Sequence, residues 1–303
     1  MQHSYGLSLT SALETQKLIS PAYSKFLDRR LSNADLNELA FLDEIAALIF
    51  TLFPKGIEVL AKDYAWLCEQ QVEEELYFRR NKSYRLTTFQ EALKQVYSDQ
   101  NYMTRYMNGL LMTQLWWSNH TAVMQYYANS FLKSLKPGSS VLEIGPGHGL
   151  LSYMAGESTN CARIECWDIS STSIEQTRHA LKKLSISSII DLRLVDLFDA
   201  PEGNFDAVIF CEILEHMEHP KQALEKLRKQ LAPMGKVFIN MPINSPAPDH
   251  LFNQSTPEDL AAFVEMSGLK IIDYQYFPAT NYSLQRARDK KLTINCVFVA
   301  EAA

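Results

Sequence analysis

The stretch Ser140-Val-Leu-Glu-Ile-Gly-Pro-Gly-His-Gly149 constrains this chain more than any other: an apolar run, an acid, then a glycine at every second position. Val141, Leu142 and Ile144 read as a strand buried on both faces of a parallel sheet. Gly145, Gly147 and Gly149 permit a tight turn and let bare backbone approach a ligand. Leu150 to Gly156 can open a helix, so the turn would gather several N–H groups at a helix N-terminus around one small ligand. Glu143, just beneath, offers a carboxylate to a cationic or hydroxyl-bearing partner. The third glycine comes one residue too early for G-x-G-x-x-G, the fingerprint that holds a dinucleotide pyrophosphate.

The spacing E-x-G-x-G-x-G, filled by Glu143, Gly145, Gly147 and Gly149, resembles the first motif of the class I S-adenosylmethionine-dependent methyltransferases. The resemblance implies an α/β fold, a Rossmann-like seven-stranded sheet, with S-adenosyl-L-methionine as cofactor. The downstream sequence agrees in order. Ala162–Asp168 reads as a second strand ending in an acid, and in a doubly wound sheet that acid lies beside the ligand's ribose. Asp168 can accept both ribose hydroxyl protons there, or cap the helix that starts near Ser171. Ile189–Val195 is the third strand, and the resemblance gives Asp196 the adenine amino group and Leu197 backbone or apolar cover for the ring. It also implies that Pro146, Ile169 and Cys211 border the cofactor. Phe205–Phe210 is the fourth strand, Lys221–Leu231 a helix, Pro233-Met-Gly235 a turn and Lys236–Met241 the fifth strand. A helix from Thr256 and two closing strands, Leu269–Phe277 and Leu292–Ala300, complete a mostly parallel sheet with one antiparallel edge strand. The resemblance covers residues 135–303, the expected catalytic domain.

Residues 1–134 read as an all-helical domain. Leu36, Leu39, Leu42, Ile45, Ile49 and Leu52 recur at steps of three and four behind the start signals Ser32 and Asp35, and Pro54 and Gly56 end the run. A second helix is expected over Tyr64–Arg80, with Glu73-Glu-Glu75 on a solvated face. A third opens at Thr88-Phe-Gln-Glu91, which has capping-box spacing. Tyr102 to Phe131 is crowded with Tyr, Met, Trp and Leu, ordinary packing material that also suits a dimer face or a lid over a substrate. A helical layer of this kind is common in small-molecule methyltransferases.

A net charge of −6 gives no basic field for a nucleic-acid backbone and favours a small-molecule or protein-bound acceptor. The five cysteines contain no C-x-x-C pair and read as reduced thiols. No stretch is long and apolar enough to span a membrane, and the N-terminus lacks a basic start with an apolar core, so a cytoplasmic location is expected.

The chemistry is expected after the fourth strand, in Glu212-Ile-Leu-Glu215-His216, with His250 further on. This quartet resembles the metal site of the small-RNA 2′-O-methyltransferases and the ubiquinone-pathway O-methyltransferases. Carried over by position, Glu212, Glu215, His216 and His250 would hold a divalent ion such as Mg, Mn or Fe, whose preference for mixed oxygen and nitrogen ligands they fit. Without a metal, His216 would serve as general base, with Glu212 and Glu215 beside it. His219 reads as a surface residue at a helix start. His148 is placed toward the cofactor or solvent, and His120 toward the substrate pocket. The expected activity is O-methylation of a small molecule, apolar or planar, such as a secondary-metabolite intermediate. N-methylation, RNA 2′-O-methylation and a cofactor-binding scaffold without catalysis are the alternatives, as are a carrier-bound or peptide acceptor and a homodimer.

Overall fold

The computed structural model describes residues 5–186 and 189–303. The N-terminal part is helical as expected: α1 (Leu7–Ile19), α2 (Ser24–Ser32), α3 (Leu36–Leu52), α4 (Ile57–Asn81), α5 (Phe89–Ala92), α6 (Gln100–Trp116), α7 (Ser118–Tyr126) and α8 (Leu132–Ser134). Asp35 caps α3 by accepting from the Glu38 amide at 2.8 Å, and Thr88 with Glu91 forms the reciprocal capping box of α5. A π-helical turn, Leu93–Tyr97, continues α5, and a second one, Tyr127–Phe131, joins α7 to α8. Leu9, Leu27, Leu42, Tyr64, Leu111 and Trp116 share one buried apolar cluster, which is what holds these helices together.

Two helical expectations need correction. The helix expected from Tyr64 begins at Ile57, directly after Gly56. Glu74 is buried, not solvated: the chain reverses at Lys82, whose φ is +60°, and Arg85 returns to donate to the Glu74 carboxylate at 2.9 Å.

The sheet contains β1 (Ser139–Ile144), β2 (Cys161–Asp168), β3 (Ile190–Leu194), β4 (Phe205–Cys211), β5 (Leu231–Ile243), β6 (Leu269–Pro278) and β7 (Ile294–Ala302). Their order is β3-β2-β1-β4-β5-β7-β6. The antiparallel strand is therefore not at the edge: β7 is wedged between β5 and β6 and runs opposite to both. β5 absorbs the expected Pro233-Met-Gly235 turn as an irregularity, since Phe205 pairs with Leu231 while Ala207 pairs with Lys236. Helices α9 (Leu150–Glu157), α10 (Ser171–Lys183), α11 (Pro220–Arg228) and α12 (Pro257–Glu265) were legible, whereas the short α13 (Leu284–Lys290) was not.

Successive residues of the central strands enter different cores because both sheet faces are covered. Leu142, Val208, Phe210 and Ile239 face one cluster, with Leu224, Leu227 and Leu260 of α11 and α12. Val141, Ala207, Ile209 and Phe238 face the other, with Tyr127, Phe131 and Leu181. The helical part is thus docked on the sheet directly: the Phe238 ring lies 5.2 Å from Tyr127 and 5.1 Å from Phe131. Lys183 of α10 also donates to the Leu52 carbonyl of α3 at 2.6 Å.

Phe238→Ala should lower stability by about 3–5 kcal/mol, as for other buried aromatic deletions. Equilibrium urea unfolding measures it, and a loss below about 1 kcal/mol would contradict this docking.

Candidate active site

The turn after β1 bends through positive φ at three positions, Gly145 (+64°), Gly147 (+52°) and Gly149 (+76°), the region that favours glycine. Space matters as much as dihedral angle: a Cβ on Gly145 would lie 2.4 Å from Ile213 Cδ1. The Gly145 amide donates to the Trp167 carbonyl and the Gly149 amide to the Pro146 carbonyl, each at 2.8 Å. Those two N–H groups shape the bend. Proline having none, Gly147 and His148 supply the turn amides that lack a hydrogen-bond acceptor among the described residues.

Glu143 is committed elsewhere than expected. Its carboxyl accepts from Ser152 of α9, which also touches Cys166, and it is only 4% exposed. Burial, opposed by the Ser152 hydrogen bond, pushes its pKa up to about 8. It is therefore a neutral acid at pH 7, in place of the expected anionic partner for a cation. His148 is half-buried: its Nε2–H donates to the Met107 carbonyl of α6 at 2.7 Å, and desolvation lowers its pKa to about 4. The helical layer thus touches the glycine turn itself.

Asp168 stands at the end of β2 as expected, but its two oxygens already accept from the Ser170 amide (2.8 Å) and the Ser173 hydroxyl (2.7 Å) at the start of α10. Asp196 is exposed after β3 and accepts from the Phe198 amide at 2.8 Å. The Leu197 side chain is 4% exposed and belongs to the apolar cluster of Ile144, Trp167 and Phe205, which favours the backbone alternative of the two expected for it. Ile169 is exposed, Pro146 is buried in the turn, and Cys211 ends β4 beside Asn240.

Beyond Cys211 the fourth strand leads into a 3₁₀ turn, Leu214–His216. The Glu215 carbonyl accepts from both the Leu251 amide (2.8 Å) and the Phe252 amide (2.9 Å), which ties the loop carrying His250 to this turn. Glu215, His216 and His250 come together with their ligand atoms within 4.8 Å of one another. Glu215 is fully buried, and among the described residues neither carboxylate oxygen has a hydrogen-bond partner of good geometry, although the Glu212 carboxyl lies beside it. Burial, then the Glu212 charge, raises its pKa well above the usual range. His250 Nδ1 lies 2.6 Å from the Ser245 carbonyl, and His216 Nδ1 lies 3.2 Å from the Asp249 carbonyl. A carbonyl only accepts, so each Nδ1 is placed to donate, the tautomer in which a neutral imidazole keeps its lone pair on Nε2. Burial lowers His250 to a pKa of about 3, so it is neutral.

Glu212, expected as the fourth ligand, lies beside Glu215 but outside the converging set. Glu212 has a left-handed backbone (φ +56°), and its Oε1 accepts from Asn240 Nδ2 at 2.5 Å and Asn295 Nδ2 at 2.6 Å. Two amide donors hold that oxygen, and the cluster of converging ligand atoms omits it. Asn295 in turn accepts from Asn119 of α7 at 2.7 Å, so a buried amide chain runs from Glu212 into the helical layer. Next to Asn119, His120 is buried, with Nδ1 3.0 Å from the Thr113 hydroxyl and its ring edge-on to Trp117. His219 is exposed just before α11, as expected.

Sequence reasoning missed Asp249, Tyr97 and Tyr106. The two tyrosine hydroxyls donate to the two oxygens of Asp249, at 3.0 and 2.9 Å. An acid adjoining a candidate ligand was a usable signal for Asp249. Nothing in the sequence singles out Tyr97, which reaches the cluster from the π-helical turn.

Residues 142–237 match the family described as a methyltransferase domain. The ubiquinone biosynthesis O-methyltransferase of Idiomarina loihiensis is 33% identical over 104 residues, 34% of this chain and 42% of that protein. Its counterpart in Xanthomonas campestris pv. campestris is 32% identical over 114 residues, 37% of this chain and 46% of that protein. The match thus spans less than half the length of these relatives. Among solved structures, the mitomycin 7-O-methyltransferase MmcR superposes with a TM-score of 0.56 at 12% identity, covering 85% of this chain and 76% of its own. The [4+2]-cyclase SpnF gives 0.50 at 15% identity, covering 60% and 80%. At such identities these structures show the fold alone. No helix among the described residues is long and apolar enough to cross a membrane.

The neutral Glu143 has a measurable consequence. Between the ordinary carboxylate range and about pH 8 the folded protein keeps this proton while the unfolded chain has released it. Stability must therefore fall as pH rises through that window. The stability difference, wild type minus Glu143→Gln, should decline by up to about 1.4 kcal/mol per pH unit between about pH 5 and 8. A flat difference in urea unfolding would show that Glu143 is ionised in the folded state.

Proposed function

We propose that this chain is a class I S-adenosylmethionine-dependent methyltransferase that moves a methyl group from S-adenosyl-L-methionine to a hydroxyl oxygen of a small molecule bound beside Glu215, His216 and His250, a reading supported by the methyltransferase-domain match and the curated relatives. One observation carries the choice of oxygen: a fully buried carboxyl group with no hydrogen-bond partner among the described residues converges with two imidazoles whose Nδ1 atoms face carbonyls, which leaves their Nε2 atoms for an acceptor's proton or an ion. A hydroxyl attacks poorly until its proton is taken or its pKa lowered, and this cluster is equipped for that task. An amine nucleophile needs less. The O-methyltransferase relatives point the same way.

S-adenosyl-L-methionine supplies the reactive methyl sulfonium, so the protein's part is to bind, align and activate. In this reading the Gly147 and His148 amides receive the cofactor at the glycine turn, whose missing Cβ atoms let it approach, and Asp168 and Asp196 meet its ribose and adenine. The acceptor oxygen forms its bond to the methyl carbon as the carbon–sulfur bond breaks, and the acceptor's proton leaves toward the cluster. The residues fit a divalent ion held by Glu215, His216 and His250, since an orphaned carboxylate and two imidazoles are a suitable mixed oxygen and nitrogen donor set for Mg, Mn or Fe. Such an ion would lower the pKa of the acceptor hydroxyl. With no ion, the Nε2 of His216 is the base, a second reading favoured by the Asp249 oxygens at its Nδ1. Residues 1–134 then cover the acceptor and 135–303 hold the cofactor, with Tyr106, Trp117 and His120 from the helical layer on the acceptor side.

S-adenosylhomocysteine release with catechols, phenols, amines and carboxylic acids tests the proposal. Turnover is expected with a hydroxyl acceptor, lost on chelation and restored by Mg or Mn. His216→Gln should lower kcat roughly 10²- to 10⁴-fold while S-adenosylhomocysteine still binds. Turnover indifferent to chelator would discard the ion and leave His216 as base; amines as the sole acceptors would overturn oxygen transfer.

A further inference from the structure

We propose that Asp249 is a positioning residue: by taking the hydroxyl proton of Tyr97 it makes that hydroxyl an acceptor, and so fixes His216 in the tautomer that turns Nε2 toward Glu215 and His250. The inference rests on the proposed role of the cluster, yet it concerns the protein alone and can be tested without metal or acceptor.

Three oxygens face His216 Nδ1: the Asp249 carbonyl at 3.2 Å, the Tyr97 hydroxyl at 3.4 Å and Asp249 Oδ2 at 3.4 Å. Two of them can only accept when Asp249 is ionised. The hydroxyl is the ambiguous one, because it can donate to Nδ1 or accept from it. Asp249 resolves the ambiguity. Its Oδ2 receives the Tyr97 proton at 3.0 Å, which leaves only lone pairs on the hydroxyl for His216. Its Oδ1 receives the Tyr106 proton at 2.9 Å, so both carboxylate oxygens are held from the helical layer. Asp249 is 3% exposed, and each of its carboxylate oxygens is met by a tyrosine hydroxyl donor. His216 itself stays partly exposed, so it needs this frame to hold one orientation. Carboxylate or carbonyl partners behind a ligating histidine commonly set its tautomer in this way.

Removing the carboxylate should reverse the polarity. In Asp249→Ala the Tyr97 proton is released and can point at Nδ1, which drives the imidazole proton to Nε2 and blocks the lone pair the cluster uses. Removing the hydroxyl as well should undo the damage, since Nδ1 then faces the residue-249 carbonyl, an acceptor. A merely structural role for Asp249 predicts no such rescue.

Long-range ¹H–¹⁵N spectra of the full chain, labelled in its seven histidine rings and recorded at a pH where imidazoles are neutral, read the tautomers directly. His216→Gln assigns the signal. The wild type and Tyr97→Phe should show the Nδ1–H form, Asp249→Ala mainly the Nε2–H form, and Asp249→Ala with Tyr97→Phe the Nδ1–H form again. Titration with Mn²⁺ should show affinity falling about 10- to 100-fold in Asp249→Ala and returning to within a few-fold in the double variant. An Nε2–H form in the wild type or in Tyr97→Phe, neither of which alters residue 249, overturns the proposal, as does an unchanged tautomer in Asp249→Ala or a double variant that fails to recover. Absence of Mn²⁺ binding in the wild type would count against the metal reading alone, because the spectra decide the tautomer by themselves.

Discussion

A fully buried carboxyl group with no hydrogen-bond donor is the constraint around which this molecule is arranged. Burying an isolated carboxylate is costly enough that the group normally takes up a proton or finds a cation. Among the described residues Glu215 has no hydrogen-bond donor at its oxygens, and two imidazoles stand where ligands or proton acceptors belong. The backbone reinforces the placement, because the Glu215 carbonyl anchors the loop that brings His250 back to the end of the fourth strand. Stability alone would favour an apolar residue at this position. The cost therefore points to chemistry.

The site belongs to both halves of the chain. The sheet contributes the glycine turn, Glu215, His216 and His250, while the helical layer contributes Tyr97 and Tyr106 to Asp249, Asn119 to the Glu212 network and the Met107 carbonyl to His148. Apolar docking at Phe238 sets the distance between the layers, and the hydrogen bonds set register within the site. The helical layer therefore holds side chains of the cluster and touches the glycine turn as well. A displacement of α6 would disturb the glycine turn and Asp249 together.

The strands, their order along the chain and the glycine turn were legible because they rest on local patterns: apolar runs, acids at strand ends and glycines at fixed spacing. The cluster was half legible. Glu215, His216 and His250, carried over from the family resemblance, do converge, whereas Glu212 sits one residue from the strand end in a left-handed backbone with one oxygen held by two asparagines that no local pattern announces. Glu74 was misjudged for a related reason, since burial depends on what distant chain folds over it, here Arg85. The inner place of β7 reflects pairing between strands far apart in sequence. Tyr97 was invisible because its role depends on a hydroxyl meeting a carboxylate across the two halves of the chain.

Whether the Glu215 carboxyl is a ligand or a neutral buried acid is decided most directly by diffraction from crystals grown with manganese, recorded at the manganese absorption edge. One anomalous peak bridging a Glu215 oxygen and the Nε2 atoms of His216 and His250, with Glu212 still bonded to Asn240 and Asn295, is the predicted result. No peak there, with the Glu215 carboxyl donating a proton to a neighbouring oxygen, would contradict the account.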